Sequence, residues 1–156
     1  MLTEVHKQAL AAALRASSDP VVVNALTNRM DVQLAEWCNT PTSTDAWHEA
    51  CDGKELFEAS DLTKFDGLSA GKRDAWRLML TFAPIDMTRN ANRKAIVDVW
   101  GGTDSVGVLQ KCLRKATNGE LIFGGSTPTT GTVTATKLNF AGLISQSEVS
   151  DALNRF

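Results

Sequence analysis

The sequence predicts a mainly α fold: a compact multi-helix domain with a C-terminal β-hairpin or extended arm and a short terminal helix. Three observations predict it. Apolar residues recur at helical spacing between Thr3 and Ala116, as in Val5, Ala9, Leu10, Ala13 and Leu14. Residues that cap helices precede those stretches, and Gly or Pro follows them. After Gly119 the pattern changes to Gly, Ser, Thr and Pro, then to a run with several β-branched residues. At 156 residues the chain has the usual size of one domain. It divides by pattern into a helical body over 1–117, a hairpin or extended arm over 118–144 and a short helix over 145–156. A chain of this length buries roughly 68–70% of its unfolded surface, enough to stand without disulfides or a metal.

In order, the first helix runs from Thr3 to Ala16. Glu4, His6, Lys7 and Gln8 interrupt the apolar run, so the segment reads as an amphipathic helix of a chain made in the cytosol and not as a signal peptide. Asp19-Pro20 supplies a cap and a proline at the first helical position for a short helix through Leu26. Asp31 to Cys38 is a third helix, and Asn39 to Thr44 is loop by composition. Thr44 or Asp45 caps a helix that carries Trp47 and ends near Gly53. Lys54 to Asp66 reads as a helical turn and an irregular stretch.

Ser69 caps the next helix, whose inward residues are Trp76, Met79, Leu80 and Ala83. Pro84 ends it, having no N–H and disfavouring the α conformation in the residue before it. A helix from Asn90 with Ala91, Ala95, Ile96 and Val99 on one face stops at Gly101-Gly102, and another runs from Asp104 to Ala116. Glu120 to Phe123 and Thr132 to Phe140 read as the strands of a hairpin with a long tip, Gly124, Gly125, Ser126, Thr127, Pro128, Thr129, Thr130 and Gly131. That tip has no apolar residue, so it is mobile or ordered by a neighbour. Ser145 and Glu148 have capping-box spacing for the terminal helix.

Net charge is −2, unevenly placed. Residues 1–63 carry 4 basic and 10 acidic side chains, and residues 64–115 carry 10 basic and 5 acidic. Lys72, Arg73 and Arg77 fall on one helix, Arg89, Arg93 and Lys94 on the next, and Lys111, Arg114 and Lys115 on a third. Arg73/Arg77 and Arg89/Arg93 are i,i+4 pairs of like charge, which cost a few tenths of a kcal/mol unless something answers them. This basic face meets phosphates, or an acidic surface of an adjacent copy, or it is a solvated face with Asp74 and Asp98 as local partners. No apolar run approaches the roughly 20 residues that span a bilayer.

No catalytic, cofactor-binding or metal-ligating residue is assigned. Gly67-Leu68-Ser69-Ala70-Gly71 matches the G-x-S-x-G elbow of serine hydrolases, but that chemistry requires a histidine after the serine, and His6 and His48 both precede it. The G-x-x-x-G-K spacing that ends at Lys72 is one residue short of a phosphate loop. Cys38, His48 and Cys51 lack the fourth ligand and the short paired spacings of a structural zinc site. Cys38, Cys51 and Cys112 are odd in number and far apart, as expected for reduced thiols in a core. Of Trp37, Trp47, Trp76 and Trp100, three are expected as core anchors, and any one is an alternative interface anchor.

Several segments occur together: Leu34 to Asn39-Thr40-Pro41 and Trp47; Asp66-Gly67-Leu68-Ser69-Ala70-Gly71-Lys72-Arg73 with Trp76; Asn90 to Ile96 with Trp100; and Leu138 to Ile144 before a short helix. In this order the chain resembles a family of small neck proteins of tailed bacteriophages, over most of its length from residue 30 onward. The stretch from Glu49 to Asp61 departs from that pattern. The resemblance implies a non-enzymatic virion protein at the head–tail junction, made in the bacterial host cytoplasm. It implies a head-to-tail adaptor whose identical copies pack as a ring on the portal, touch tail or neck proteins, and meet packaged DNA non-specifically at most. A tail terminator or a head-decorating protein is the alternative within that class. A DNA- or protein-binding regulator using the 72–115 basic helices is the alternative from another class.

Overall fold

A computed structural model describes residues 1–156 and shows a mainly α protein, 54% helical with ten helices. The N-terminal helices are α1 (Glu4–Ala16), α2 (Pro20–Thr27) and α3 (Asp31–Cys38), followed by strand β1 (Pro41–Trp47). Then come α4 (Gly53–Glu58), α5 (Leu62–Phe65), α6 (Ala70–Thr81), α7 (Asn90–Trp100) and α8 (Asp104–Lys111). Strand β2 (Leu113–Thr117) leads into α9 (Asn118–Ile122). Four two-residue strands follow, β3 (Gly125–Ser126), β4 (Thr129–Thr130), β5 (Val133–Thr134) and β6 (Lys137–Leu138), before α10 (Gln146–Arg155). The strands pair as β1 with β2, β3 with β6 and β4 with β5.

Side-chain caps fix most helix starts. Thr3, Asp19, Asp61 and Ser69 each accept an amide from the first turn of α1, α2, α5 and α6. Asp52 with Glu55, Thr117 with Glu120, and Ser145 with Glu148 form reciprocal capping boxes on α4, α9 and α10. The acidic stretch from Glu49 to Asp61 is thus largely engaged in local structure, with Glu49 paired to Arg114 at 2.8 Å.

The residues group into two compact units. The first gathers Met1–Ser43, Lys115–Ser126 and Leu138–Phe156. Its core is Leu10, Leu14, Val22, Leu34, Cys38 and Val149 from α1, α2, α3 and α10, with Ile144 from the segment before α10. Asn39 closes it: its side chain donates to the Ile144 carbonyl (2.8 Å) and accepts from the Ile144 amide (2.9 Å). Gly119 sits so close to this core that a Cβ there would lie 2.5 Å from Ile144 Cδ1 and 3.0 Å from the Cys38 carbonyl.

The second unit gathers Thr44–Arg114 and Thr127–Lys137. Its core is built on Trp47, Leu56, Trp76, Met87, Ile96, Trp100 and Leu109. Trp76 meets Trp100 edge-on at 5.3 Å, the geometry ring quadrupoles prefer, and donates its Nε1–H to Ser60 Oγ at 3.0 Å. The end of β1 and the segment after it are stitched through the backbone: Trp47 N donates to Thr136 O, His48 N to Cys112 O, and Cys51 N to Ile85 O.

Several expectations are corrected here. Trp47 ends a strand and is not on a helix, because β1 pairs with β2 and the Trp47 amide donates to the distant Thr136 carbonyl. The helix from Asp104 stops at Lys111, and β2, which pairs with β1, begins at Leu113. Glu120 to Ile122 is helical, nucleated by the Thr117–Glu120 box, and Phe123 follows the helix end, so this segment is not a strand. The hairpin is real but its tip is short. Thr129 and Thr130 pair with Thr134 and Val133, so only Gly131 and Thr132 turn the chain. φ is +60° at Gly131, the first central position, as a type II′ turn requires.

Candidate interaction surface

The basic residues do not share one face. Lys72 and Arg77 project from α6 into solvent, while Arg73 is half-buried and donates to the Asp66 carbonyl. Arg77 pairs with Asp74 and lies 5.6 Å from the Phe65 ring centroid. Arg89 precedes α7 without a side-chain capping bond and pairs with Asp86 at 3.3 Å, and Lys94 and Lys111 are exposed. Arg114 and Lys115 lie on β2 and not on a helix: Arg114 grips both Glu49 oxygens at 2.8 and 2.9 Å, and Lys115 donates to the Ser43 carbonyl.

Arg93 is the main correction. It is 2% exposed, on the inner face of α7 with Ile96 and Trp100, so it faces neither DNA nor a neighbour. Its guanidinium carbon lies 4.8 Å over the Trp47 ring. Nη1 donates to the Met87 carbonyl at 2.6 Å and Nε to Thr130 Oγ1 at 2.8 Å. Burial pushes Arg93 below the ordinary arginine value, and Asp86 offsets part of that. An aromatic face and two oxygens together replace the water this cation gives up. Thr130, expected at a mobile tip, is therefore buried, and Trp47 Nε1 also reaches the Pro128 carbonyl at 3.4 Å. The second half of the expected tip, from Thr127, belongs to the second unit; Gly124, Gly125 and Ser126 belong to the first.

The surface of the second unit is marked instead by large exposed apolar side chains on two flanks of α6. On one flank Leu78 (56% exposed) and Phe82 (71%) face α7 across a cleft of about 410 Å³, lined also by Met79, Pro84, Ile85, Asp86, Arg89, Asn92 and Ala95. On the other, Phe57 (50%) and Leu62 (53%) of α4 and α5 border a smaller cleft of about 160 Å³ with Arg77 and Leu80. Sequence reading missed both, although Leu78 and Phe82 are an i,i+4 apolar pair lying off the Trp76–Leu80 stripe.

The short motifs resolve locally. Ser69 Oγ accepts the Lys72 amide at 3.4 Å as the cap of α6, and α5, not a strand, precedes it. His48 Nδ1 accepts the Ala50 amide. Cys38 lies in the first unit, while Cys51 and Cys112 meet in the second with their Sγ atoms 3.5 Å apart and a further Cys112 Sγ contact to the Val108 carbonyl. Burial pushes the Cys38 thiol up to about 12. Hydrogen bonding to Cys112, then burial, pushes Cys51 up as well. Thiols held this firmly protonated are poor nucleophiles.

Comparison with protein-family profiles, curated proteins and solved structures finds no match to this chain. No helix is long and apolar enough to cross a membrane.

Proposed function

We propose that the chain is a non-enzymatic structural protein of a tailed-phage virion, a head-to-tail adaptor whose copies form a ring between portal and tail. The observation that carries this reading is the pair of apolar flanks on α6. Large side chains such as Phe82 and Phe57 left in water on a well-formed helical unit mark surfaces that meet protein partners. The resemblance of the sequence to phage neck proteins gives that partnership its setting.

The hairpin tip, whose composition pointed to a mobile segment or one ordered by a neighbour, is held within its own unit at Thr130 and Pro128. Arg93 holds Thr130 of β4 and Trp47 reaches the Pro128 carbonyl just before it, so contact between copies is assigned to the helices of the second unit. A regulator that grips nucleic acid is the weaker reading, because Arg93 is buried and Arg114 already holds a carboxylate.

The test is to mix the purified chain with portal rings of the same phage and sediment the mixture at low and moderate salt. The proposal expects co-sedimentation that persists as salt rises, since apolar burial is insensitive to screening. Failure to bind portal, together with DNA binding that collapses over the same salt range, would replace the adaptor with the regulator.

A further inference from the structure

We infer that Cys51 and Cys112 are a latent cross-link: a dithiol built into the second core that a low-molecular-weight disulfide, such as oxidised glutathione, converts into a protein disulfide that locks the unit. The inference stands independently of the ring reading.

The backbone places the pair before the sulfurs do. His48, three residues before Cys51, donates its amide to the Cys112 carbonyl at 3.0 Å, and Cys51 exchanges two backbone hydrogen bonds with Ile85 at 2.9 and 2.8 Å. Cys112 follows the last residue of α8, its amide bonded to the Leu109 carbonyl at 3.1 Å. Between these fixed points the thiols form a directed chain. Cys51 Sγ donates to Cys112 Sγ at 3.5 Å, and Cys112 Sγ donates to the Val108 carbonyl at 3.2 Å. Closing that gap to the roughly 2.05 Å of a sulfur–sulfur bond moves each sulfur by about 0.7 Å.

The two residues are 61 positions apart, and α4 to α8 all lie between them. A bond here encloses nearly all the helices of the second unit in one loop. The restriction it places on the unfolded chain grows with loop length.

Burial makes the reaction conditional. Both thiols are out of contact with water, and hydrogen bonding and burial keep Cys51 protonated, so the closed structure does not react. Cys51 nevertheless sits between exposed Ala50 and Asp52, and a local opening that breaks its bonds to Ile85 brings the sulfur to water. The Cys51 thiolate then attacks one sulfur of oxidised glutathione, and the departing glutathione thiolate takes up a proton. As the segment recloses, the Cys112 thiolate attacks the Cys51 sulfur of the mixed disulfide and expels the second glutathione, which is protonated in turn. One small disulfide is reduced to two thiols while two cysteine thiols become one disulfide. A reducing cytosol lets the chain fold with the pair open, and oxidising surroundings close it.

The experiment incubates the full chain with excess oxidised glutathione, with and without low urea, then alkylates it and maps it by mass spectrometry. The expected product lacks two hydrogen atoms and yields a peptide joining Cys51 to Cys112, with Cys38 outside the link. Low urea speeds its formation, because opening precedes attack. The linked chain is expected to melt about 10 °C higher than the reduced one, and reductant reverses the shift. Cys38→Ala retains the shift, whereas Cys51→Ala and Cys112→Ala abolish it. The native chain alone decides the matter, so a variant that folds poorly does not blunt the test. Retention of all three thiols, a mixed disulfide at Cys51 that Cys112 does not resolve, or a linked chain that melts no higher than the reduced one would each overturn the inference.

Discussion

The guanidinium of Arg93 lies 4.8 Å from the centre of the Trp47 ring and donates to Thr130, joining α7, the end of β1 and the hairpin in one contact. Replacing Arg93 with Ala removes the stacking and two hydrogen bonds and leaves the Met87 carbonyl and Thr130 hydroxyl buried without partners. The expected loss is about 2–4 kcal/mol in urea unfolding. Arg93→Lys recovers only part of it, because an ammonium cannot reach both oxygens as a fork. A loss under about 0.5 kcal/mol would show that the contact does not hold the hairpin.

Hairpin geometry gives a graded prediction. Gly131 turns the chain at φ +60°, so Gly131→Ala costs about 1 kcal/mol although nothing lies within 4 Å of its missing Cβ. Removing residues 124–131 is expected to lower the melting temperature far more, since it deletes β4 and the oxygen that Arg93 binds. Calorimetry of both variants checks the order.

Trp76 is 1% exposed and anchors the second core against Trp100. Trp76→Ala is expected to cost about 3–5 kcal/mol. Trp37, half-buried and hydrogen-bonded to Asp19 at 3.0 Å, is expected to cost less. Denaturant midpoints of the two alanine variants compare them directly.

Cys38 makes stability depend on alkaline pH. Its ordinary value is 9.0 and burial raises it in the folded chain to about 12. Below 9.0 both states hold the proton and its contribution is fully present. Through the interval up to about 12 only the unfolded chain releases the proton, so stability falls as pH rises. The slope from this group is at most about 1.4 kcal/mol per pH unit. Cys38→Ala is expected to flatten the curve over that interval; an unchanged slope would place the thiol in contact with water.

The helical half of the fold was legible because caps and periodicity are local. Asp31 to Cys38 falls where its pattern puts it, and Ser69 and Ser145 cap the helices they precede. Strand β1 was not legible, since Thr42, Ser43 and Thr44 read as polar loop and gain their order from distant partners such as the Ala116 carbonyl. Helix α9 carried a readable signal in Thr117 and Glu120 that the following glycine masked; Gly119 is there because Ile144 and Cys38 leave no room for a Cβ. Arg93 misled because charge implies exposure, yet its spacing to Ile96 and Trp100 already set it on the inner face. The apolar clefts were hidden for a related reason: periodicity shows which residues a helix can bury, not which of them its neighbours cover.

We propose above that this chain is a ring component of a virion neck. The most direct test is its copy number relative to the portal protein in purified virions, by quantitative mass spectrometry. A ring adaptor gives a ratio of one ring of this chain per portal ring. Many copies per portal subunit would make it a capsid decoration or a tube protein, and absence from virions would contradict the account outright.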